Sequence, residues 1–282
     1  MHNEIFKTQK DIKETKLVLF SDLHYYQGYN QKILNRLLNQ TKEANPNYIC
    51  IAGDVLDYSS VSDFNILFTW LENLSNIAPV LVVLGNHDEK NGNMGHWKSK
   101  KNKEYIKGLN ELKNVYLLDN KTKTFNDISF YGFNLSYQYY EETHENYNSF
   151  IEEVKELNPE FKDNTYNVIL FHSPINIYKY IKENPKHPFN KCDLILSGHM
   201  HNGCLPYIIS HPINKIFKTS RSIISPLRKI FPDYSHGRLY NKVKDGYIYE
   251  GVCKFSKSTR FFHKLDFIYQ KNIQIITLKK DI

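Results

Sequence analysis

The chain has 282 residues and 41% hydrophobic content, enough to bury a sizeable core. Its formal charge of +7 fits phosphate-bearing, lipid or nucleic-acid partners alike and selects none of them. No run approaches the roughly 20 apolar residues of a membrane span, no Gly/Ser or Pro tract marks a linker, and residues 1–15 lack the apolar core of a secretory signal.

In chain order, the apolar stretch 17–21 predicts a buried strand ending on Asp22-Leu23-His24. A helix over 31–44 follows, with Ile33, Leu34, Leu37 and Leu38 on one face. Strand 48–52 ends on Gly53-Asp54, with Asp57 just beyond, and leads to a helix near 61–76. Strand 80–84 ends on Gly85-Asn86-His87-Asp88, ahead of a Lys-rich loop and a helix over 96–112. A strand near 115–118, a hairpin near 122–134 and a helix near 149–157 come next. Strand 167–171 ends on His172, a helix spans 175–183, and strand 194–197 ends on Gly198-His199-Met200-His201. A hairpin around 239–252 and a last strand at 272–278 close the series. Strands alternating with helices indicate βαβ units, and the late hairpins indicate a second, more antiparallel sheet. The candidate site residues span 22–201, so the expectation is one domain over 1–282.

Five polar clusters thus each follow an apolar run. Ligand sites of open α/β sheets form beyond the carboxyl ends of strands, so the five would bring Asp, His and Asn to one rim. Those side chains suit Mn, Fe or Zn. Two cations about 3.5–4 Å apart need a shared anionic ligand. One site could use Asp22, His24, Asp54 and His201, and the other Asp54, Asn86, His172 and His199. That leaves His87 and Asp57, read as a proton donor and the carboxylate that orients it. Asp88 is either a carboxylate supporting a ligand or a helix N-cap. His96, His144, His187 and His211 lie outside any motif, as does His236, which beside Gly237 is a candidate for the substrate pocket. The four cysteines, Cys50, Cys192, Cys204 and Cys253, form no C-x-x-C pair and read as reduced thiols of a cytoplasmic protein.

D-x-H, G-D-x-x-D, G-N-H-D, a lone H and G-H-x-H, in that order from Asp22 to His201, resemble the motifs of the calcineurin-like metallophosphoesterase superfamily. The resemblance implies an α/β fold, a four-layer α/β/β/α sandwich of two mixed sheets with the site on one edge. It implies the same ligand sets, with two divalent cations (Mn preferred, Fe or Zn otherwise), and a catalytic pair in His87 and Asp57. Superfamily members acting on phosphoproteins typically read G-D-x-x-D-R-G. Here Tyr58 and Ser59 follow Asp57, so a phosphoprotein substrate is disfavoured. The later segments 231–234, 247–251 and 260–262 resemble a bacterial membrane-linked branch that includes UDP-diacylglucosamine hydrolases, although Asn202 stands where that branch usually has Gly.

Between Leu194 and Pro232 there is no Asp or Glu. Within an insertion near 205–231, Ile213, Ile216, Phe217, Ile223, Ile224, Leu227 and Ile230 recur at helical spacing among Lys215, Lys218, Arg221, Arg228 and Lys229. Pro226 would split such a helix. A basic amphipathic segment can lie in an anionic membrane surface. The expectation is a dinuclear phosphoesterase cleaving a phosphodiester or pyrophosphate, lipid-linked or nucleotide-linked, at the cytoplasmic membrane face. No nucleic-acid module accompanies the motifs. The alternatives are a soluble cyclic-nucleotide phosphodiesterase or nuclease, and a catalytically idle metal-binding scaffold.

Overall fold

Two six-stranded sheets carry the turns that hold the five polar clusters. The computed structural model describes residues 3–57, 61–89, 100–136, 139–140, 147–201, 237–239, 244–249, 251–253 and 272–281. The first half contains β1 (Asn3–Thr8), β2 (Thr15–Phe20), α1 (Gln31–Ala44), β3 (Tyr48–Ala52), α2 (Asn65–Ser75), β4 (Val80–Val83), α3 (Asn86–Glu89), α4 (Lys100–Glu111), β5 (Val115–Leu117), β6 (Thr122–Phe125) and β7 (Ile128–Phe133). The second contains α5 (Tyr147–Val154), β8 (Tyr166–Phe171), α6 (Ile177–Glu183), a 3₁₀ turn (Pro188–Lys191), β9 (Leu194–Ser197), β10 (Gly237–Leu239), β11 (Asp245–Ile248) and β12 (Gln274–Lys280).

The first sheet runs β1-β12-β2-β3-β4-β5 and the second β10-β11-β9-β8-β7-β6. In the first, only β12 against β2 is antiparallel. In the second, β11, β9, β8 and β7 run parallel, and the antiparallel pairs are the outer ones, β10 with β11 and β6 with β7. The expected late hairpin is present as β10 and β11, and the second sheet, with two antiparallel pairs against one, is the more antiparallel of the two. β11 enters the second sheet parallel to β9, and β12 crosses to the first sheet.

Side-chain alternation sets the layers. Val168 and Leu170 of β8, Leu194 and Leu196 of β9, and Ile128 and Phe130 of β7 join one core with β2, β3 and β4. The intervening Ile169, Phe171, Ile195, Tyr131 and Phe133 join a second core with Phe150 and Val154 of α5 and Ile177 and Ile181 of α6. The second sheet is thus buried on both faces, against the first sheet and against α5 and α6. On the first sheet's side, Leu34 and Leu37 of α1, Leu67, Trp70, Leu71 and Leu74 of α2, and Tyr105 and Leu109 of α4 pack into its core. The order is helices, sheet, sheet, helices. Truncating a buried leucine such as Leu37 or Leu71 to Ala in such a layer costs about 2–5 kcal/mol.

Local signals end the helices where chemistry requires. Asn30 accepts from the Lys32 backbone N–H to start α1, and Asn45, with φ of 46°, takes the left-handed turn that closes it. Helix α2 starts at Asn65, later than the periodicity suggested, because the Asp63 side chain accepts the Asn65 N–H at 2.8 Å. Strand β1 escapes sequence detection: its pattern is polar, only Phe6 is fully buried, and its partner is the distant β12. The insertion near 205–231, Cys204 and His236 lie outside the described residues. No helix among the described residues is long and apolar enough to cross a membrane.

Candidate metal centre

Five strand ends converge. Asp22 and His24 follow β2, Asp54 and Asp57 follow β3, and Asn86, His87 and Asp88 form α3 beyond β4. From the second sheet, His172 follows β8, and His199 and His201 follow β9. The turns are locked to one another through the backbone: Asp22 N donates to Gly53 O at 3.0 Å, His24 N to Asp54 O at 3.0 Å, and Gly198 N to His172 O at 3.0 Å.

These turns are strained. Asp22, His24, Asp54, His199 and His201 have φ of 54°, 48°, 52°, 69° and 49°, in the left-handed region that L-residues rarely adopt. Such residues cost of order 1–3 kcal/mol each and persist where the surroundings over-determine them. The strain serves a purpose here, since a left-handed residue at a strand end swings its side chain onto the rim instead of continuing the pleat. Two glycines make room for the turns. A Cβ on Gly85 would lie 2.1 Å from Asp54 Oδ1, and one on Gly198 would lie 2.0 Å from Ser21 Oγ and 2.6 Å from Asp22 Oδ2.

Donor atoms of Asp22, His24, Asp54 and His201 all lie within 4.8 Å of one another, as do those of Asp54, His172 and His199. Asn86 Oδ1 joins the second cluster, 3.2 Å from His172 Nε2. Asp54 belongs to both. Its Oδ1 accepts the His87 backbone N–H at 2.8 Å. Its Oδ2 faces His172 Nε2 at 3.3 Å, His24 Nε2 at 3.8 Å and His87 Nε2 at 4.0 Å. Asp22 is split in the same way. Its Oδ2 accepts from Ser21 Oγ and from the His199 N–H, whereas Oδ1 is buried, lacks a hydrogen bond and lies 3.2 Å from His201 Nε2.

Tautomers follow from the backbone. His172 Nδ1 lies 2.7 Å from Ala52 O and His201 Nδ1 lies 2.9 Å from Cys253 O. A carbonyl only accepts, so both Nδ1 atoms carry the proton. In its neutral form each ring then presents the Nε2 lone pair to carboxylate and amide oxygens that are also electron donors. Lone pairs facing lone pairs in a dry pocket repel unless a proton or a metal cation lies among them, and ligating imidazoles usually anchor their other nitrogen on a carbonyl in this way. The donor set therefore fits a divalent metal centre.

The titration pattern agrees. Burial opposes ionisation of Asp54, but the imidazoles of His172 and His87 outweigh it and hold the carboxyl well below the usual range. Asp22 is likewise lowered, burial being outweighed by His201 and His172. Burial and then the His87 ring pull His24 down to about 3. His172 moves the other way, to about 10, because the Asp54 charge overcomes its burial. A proton on His172 thus balances the charge of Asp54 when no cation does.

His87 Nδ1 lies 3.4 Å from Asp57 Oδ1, and the His87 ring packs edge-on against His24 with centroids 4.4 Å apart. Asp57 is 2% exposed, whereas His87 is half-buried. Asp88, fully buried, accepts from Gly85 N at 2.9 Å and Leu56 N at 2.8 Å. It pins the β3 and β4 turns together rather than capping a helix. Burial and the Asp54 charge push it up to about 7.

Some contributors were not legible in the sequence. Ser21 donates to Asp22, and the segment 251–253 backs the first cluster: Val252 N donates to Ser21 O at 3.0 Å, Cys253 N to Asp22 O at 2.9 Å, and Cys253 O receives His201. Tyr140 sets its ring 5.5 Å from that of His199 and 6.1 Å from that of His172. Nothing in its neighbourhood, Tyr139-Tyr140 among Glu and Asn, distinguishes it by spacing. Of the cysteines, Cys50, Cys192 and Cys253 are buried, and Cys253 Sγ donates to Leu23 O at 3.1 Å. His187, half-buried, accepts the Phe189 N–H at 3.3 Å away from the site.

Gly251 makes the backing testable. Its φ is +85°, and a Cβ there would lie 3.0 Å from Cys253 O and 3.3 Å from both Asp22 Cβ and His201 Nδ1. Gly251→Val should cost about 1–2 kcal/mol in backbone strain and displace the carbonyl that orients His201. The expected result is a folded protein binding cations at least tenfold more weakly at the Asp22 side, measured by metal titration alongside circular dichroism. Unchanged affinity at that side would show that the segment has no orienting role.

Two mixed sheets with a histidine- and carboxylate-lined edge define an α/β protein built around a metal site. The calcineurin-like phosphoesterase family model matches residues 15–203, and the chain belongs to that family. The Caenorhabditis elegans protein named "Putative metallophosphoesterase F40B5.2" is 24% identical over 267 residues. The alignment covers 93% of this chain and 49% of that protein, so the chain spans about half the length of the curated relative it matches. Among solved structures, a dimetal phosphatase from Danio rerio aligns with a TM-score of 0.41 at 14% identity, covering 67% of this chain and 82% of the other. GAP50, described as the anchor in the inner membrane complex of Plasmodium, aligns with a TM-score of 0.35 at 15% identity, covering 66% of each chain.

Proposed function

We propose that the chain is a dinuclear metal-dependent phosphoesterase that hydrolyses a phosphodiester or pyrophosphate bond. One observation carries the reading: Asp54 Oδ2 faces His24 of one donor cluster and His172 of the other, while Oδ1 is held by the His87 N–H. Asp22, His24, Asp54 and His201 would hold one cation, and Asp54, Asn86, His172 and His199 would hold the other, with manganese the preferred ion. When bound, the two cations activate water and neutralise the phosphoryl oxygens of an in-line displacement. The protein residues do the rest. Asp57 faces His87 Nδ1 and leaves Nε2 to donate a proton to the departing oxygen. Asp88 holds the turns that carry both groups. An idle scaffold has no use for such a proton donor. A hydrolysis screen with Mn²⁺ over aryl phosphodiesters, lipid pyrophosphates, cyclic nucleotides and phosphoproteins tests the reading. Turnover confined to phosphoproteins, or none at all, would sink it; turnover of cyclic nucleotides without lipid would favour the soluble phosphodiesterase alternative.

The finer reading is a lipid-linked or nucleotide-linked substrate at the cytoplasmic membrane face, as in the UDP-diacylglucosamine hydrolase-like branch, within a single domain spanning 1–282. The acid-free basic stretch after His201 supports it. Wild-type protein should sediment with anionic vesicles and release as salt screens the attraction. Replacing Lys215, Lys218, Arg221, Arg228 and Lys229 with Gln should weaken binding by up to about 1 kcal/mol per charge and spare turnover of a small soluble diester. Protein that ignores anionic vesicles at low salt would remove the membrane from this reading. His236 remains the proposed pocket residue of the same segment.

A further inference from the structure

The open side of the site carries two unlike flanks. His87 stands on one, against His24, Asp54 and Asp57. Tyr140 stands on the other, its ring tilted 60° to those of both His172 and His199. Its position is fixed from behind. Tyr139 is fully buried, accepts the Asn176 Nδ2–H at 3.0 Å, and packs against Tyr140 with centroids 5.2 Å apart and against Phe150 at 5.9 Å. Tyr140 itself is half-buried, as are His199 and Asn86, so these three form the outward part of the second cluster. None of the proposed chemistry uses Tyr140.

We infer that Tyr140 is a specificity-determining residue that stacks on a planar aromatic group carried by the substituent that stays on phosphorus, as in a nucleotide-type phosphodiester. The inference rests on the dinuclear phosphodiesterase reading and deepens it. In an in-line displacement the departing oxygen lies on the side of the proton donor, which places it at the His87 flank. The retained substituent is then free to turn toward the flank of His172 and His199, where Tyr140 offers a ring backed by Tyr139. Offset or edge-to-face aromatic contact gains free energy beyond area burial, and a base stacked on an aromatic side chain loses about tenfold or more in binding when that ring is truncated. Division of labour follows: His87 responds to the leaving group and Tyr140 to the group left behind.

The test holds the leaving group constant. Bis(4-nitrophenyl) phosphate and methyl 4-nitrophenyl phosphate both release nitrophenolate, but retain an aryl or a methyl group. Manganese-loaded wild type, Tyr140→Phe, Tyr140→Leu and Tyr140→Ala are compared by kcat/KM, by metal content, and by calorimetric binding of the products 4-nitrophenyl phosphate and methyl phosphate. The expected result is that Leu and Ala lose about tenfold in kcat/KM and in product affinity for the aryl compounds. They should change less than twofold for the methyl compounds and keep their metal. Phe should match wild type throughout. Equal losses on aryl and methyl compounds, loss of one metal equivalent, or no change would each overturn the inference. A wild type inert toward both diesters would defeat the phosphodiesterase reading instead, and the product-binding comparison would still decide the role of Tyr140.

Discussion

Asp54→Asn should abolish turnover and strip the purified protein of bound metal. The substitution keeps the shape of the side chain and the oxygen that accepts the His87 N–H. It removes the charge on the side that both donor clusters share, 3.3 Å from His172 and 3.8 Å from His24. Around that atom the remaining first-cluster charge is Asp22 alone, and the second cluster would hold only neutral donors, His172, His199 and Asn86. Elemental analysis of purified protein and an aryl phosphodiester assay measure the outcome. Near-normal turnover with two metal equivalents retained would contradict the bridging assignment. Loss of one equivalent only would assign Asp54 to a single ion.

His87→Ala should behave differently. The His87 ring nitrogen lies 4.0 Å from Asp54 Oδ2 and belongs to neither proposed ligand set, so the cations should remain. Turnover should fall by about 10²–10⁴-fold, the usual worth of a positioned acid–base group. The deficit should shrink for a leaving group such as nitrophenolate, which departs without protonation, and should be largest for an alkoxide. Asp57→Asn should show the same leaving-group pattern in weaker form, because it acts through the orientation of His87 at 3.4 Å. An equal loss across leaving groups would reduce His87 to an electrostatic contributor.

The ligand turns were legible because each joins two independent signals, a short apolar run and a polar cluster directly after it. Residues 80–84 cannot be mistaken once Asn86-His87-Asp88 follows, and the same holds for 168–171 before His172. Element ends slipped by two to four residues: α2 begins at Asn65 rather than 61, α5 at Tyr147 rather than 149, and α6 at Ile177 rather than 175. Side-chain caps and turns decide such ends, and periodicity does not see them. Three contributions were invisible for other reasons. Strand β1 is an edge strand whose hydrogen bonds run to β12, so its stability lies in a partner some 270 residues away, Asn3 opposite Ile275. Gly251 to Cys253 act through backbone atoms, which every residue type shares. Tyr140 acts through position alone in a segment with no periodic pattern. The sequence leaves Asp88 open between supporting a ligand and capping a helix, because its two acceptor contacts, to Leu56 N and Gly85 N, come from different turns.

The placement of β12 sets the order in which the site can be built during synthesis. β1 and β2 are consecutive in the chain, yet β12 lies between them and hydrogen-bonds to both. Until residues 274–280 emerge from the ribosome, β2 is an open edge with no partner on that side. The parallel trio β2, β3 and β4 can form early and carry Asp22, Asp54 and Asn86 close together, but His172, His199 and His201 arrive much later. The carbonyl of Cys253 that sets the His201 tautomer arrives later still. A nascent chain therefore carries the Asp22 and Asp54 carboxylates before His172 and His201, two of the imidazoles that offset them. Closing so long a loop adds little to the entropic cost, which grows only with the logarithm of length, but it makes the closing step slow. The exposed β2 edge before that step is where a delayed or misfolded molecule would pair with a neighbour.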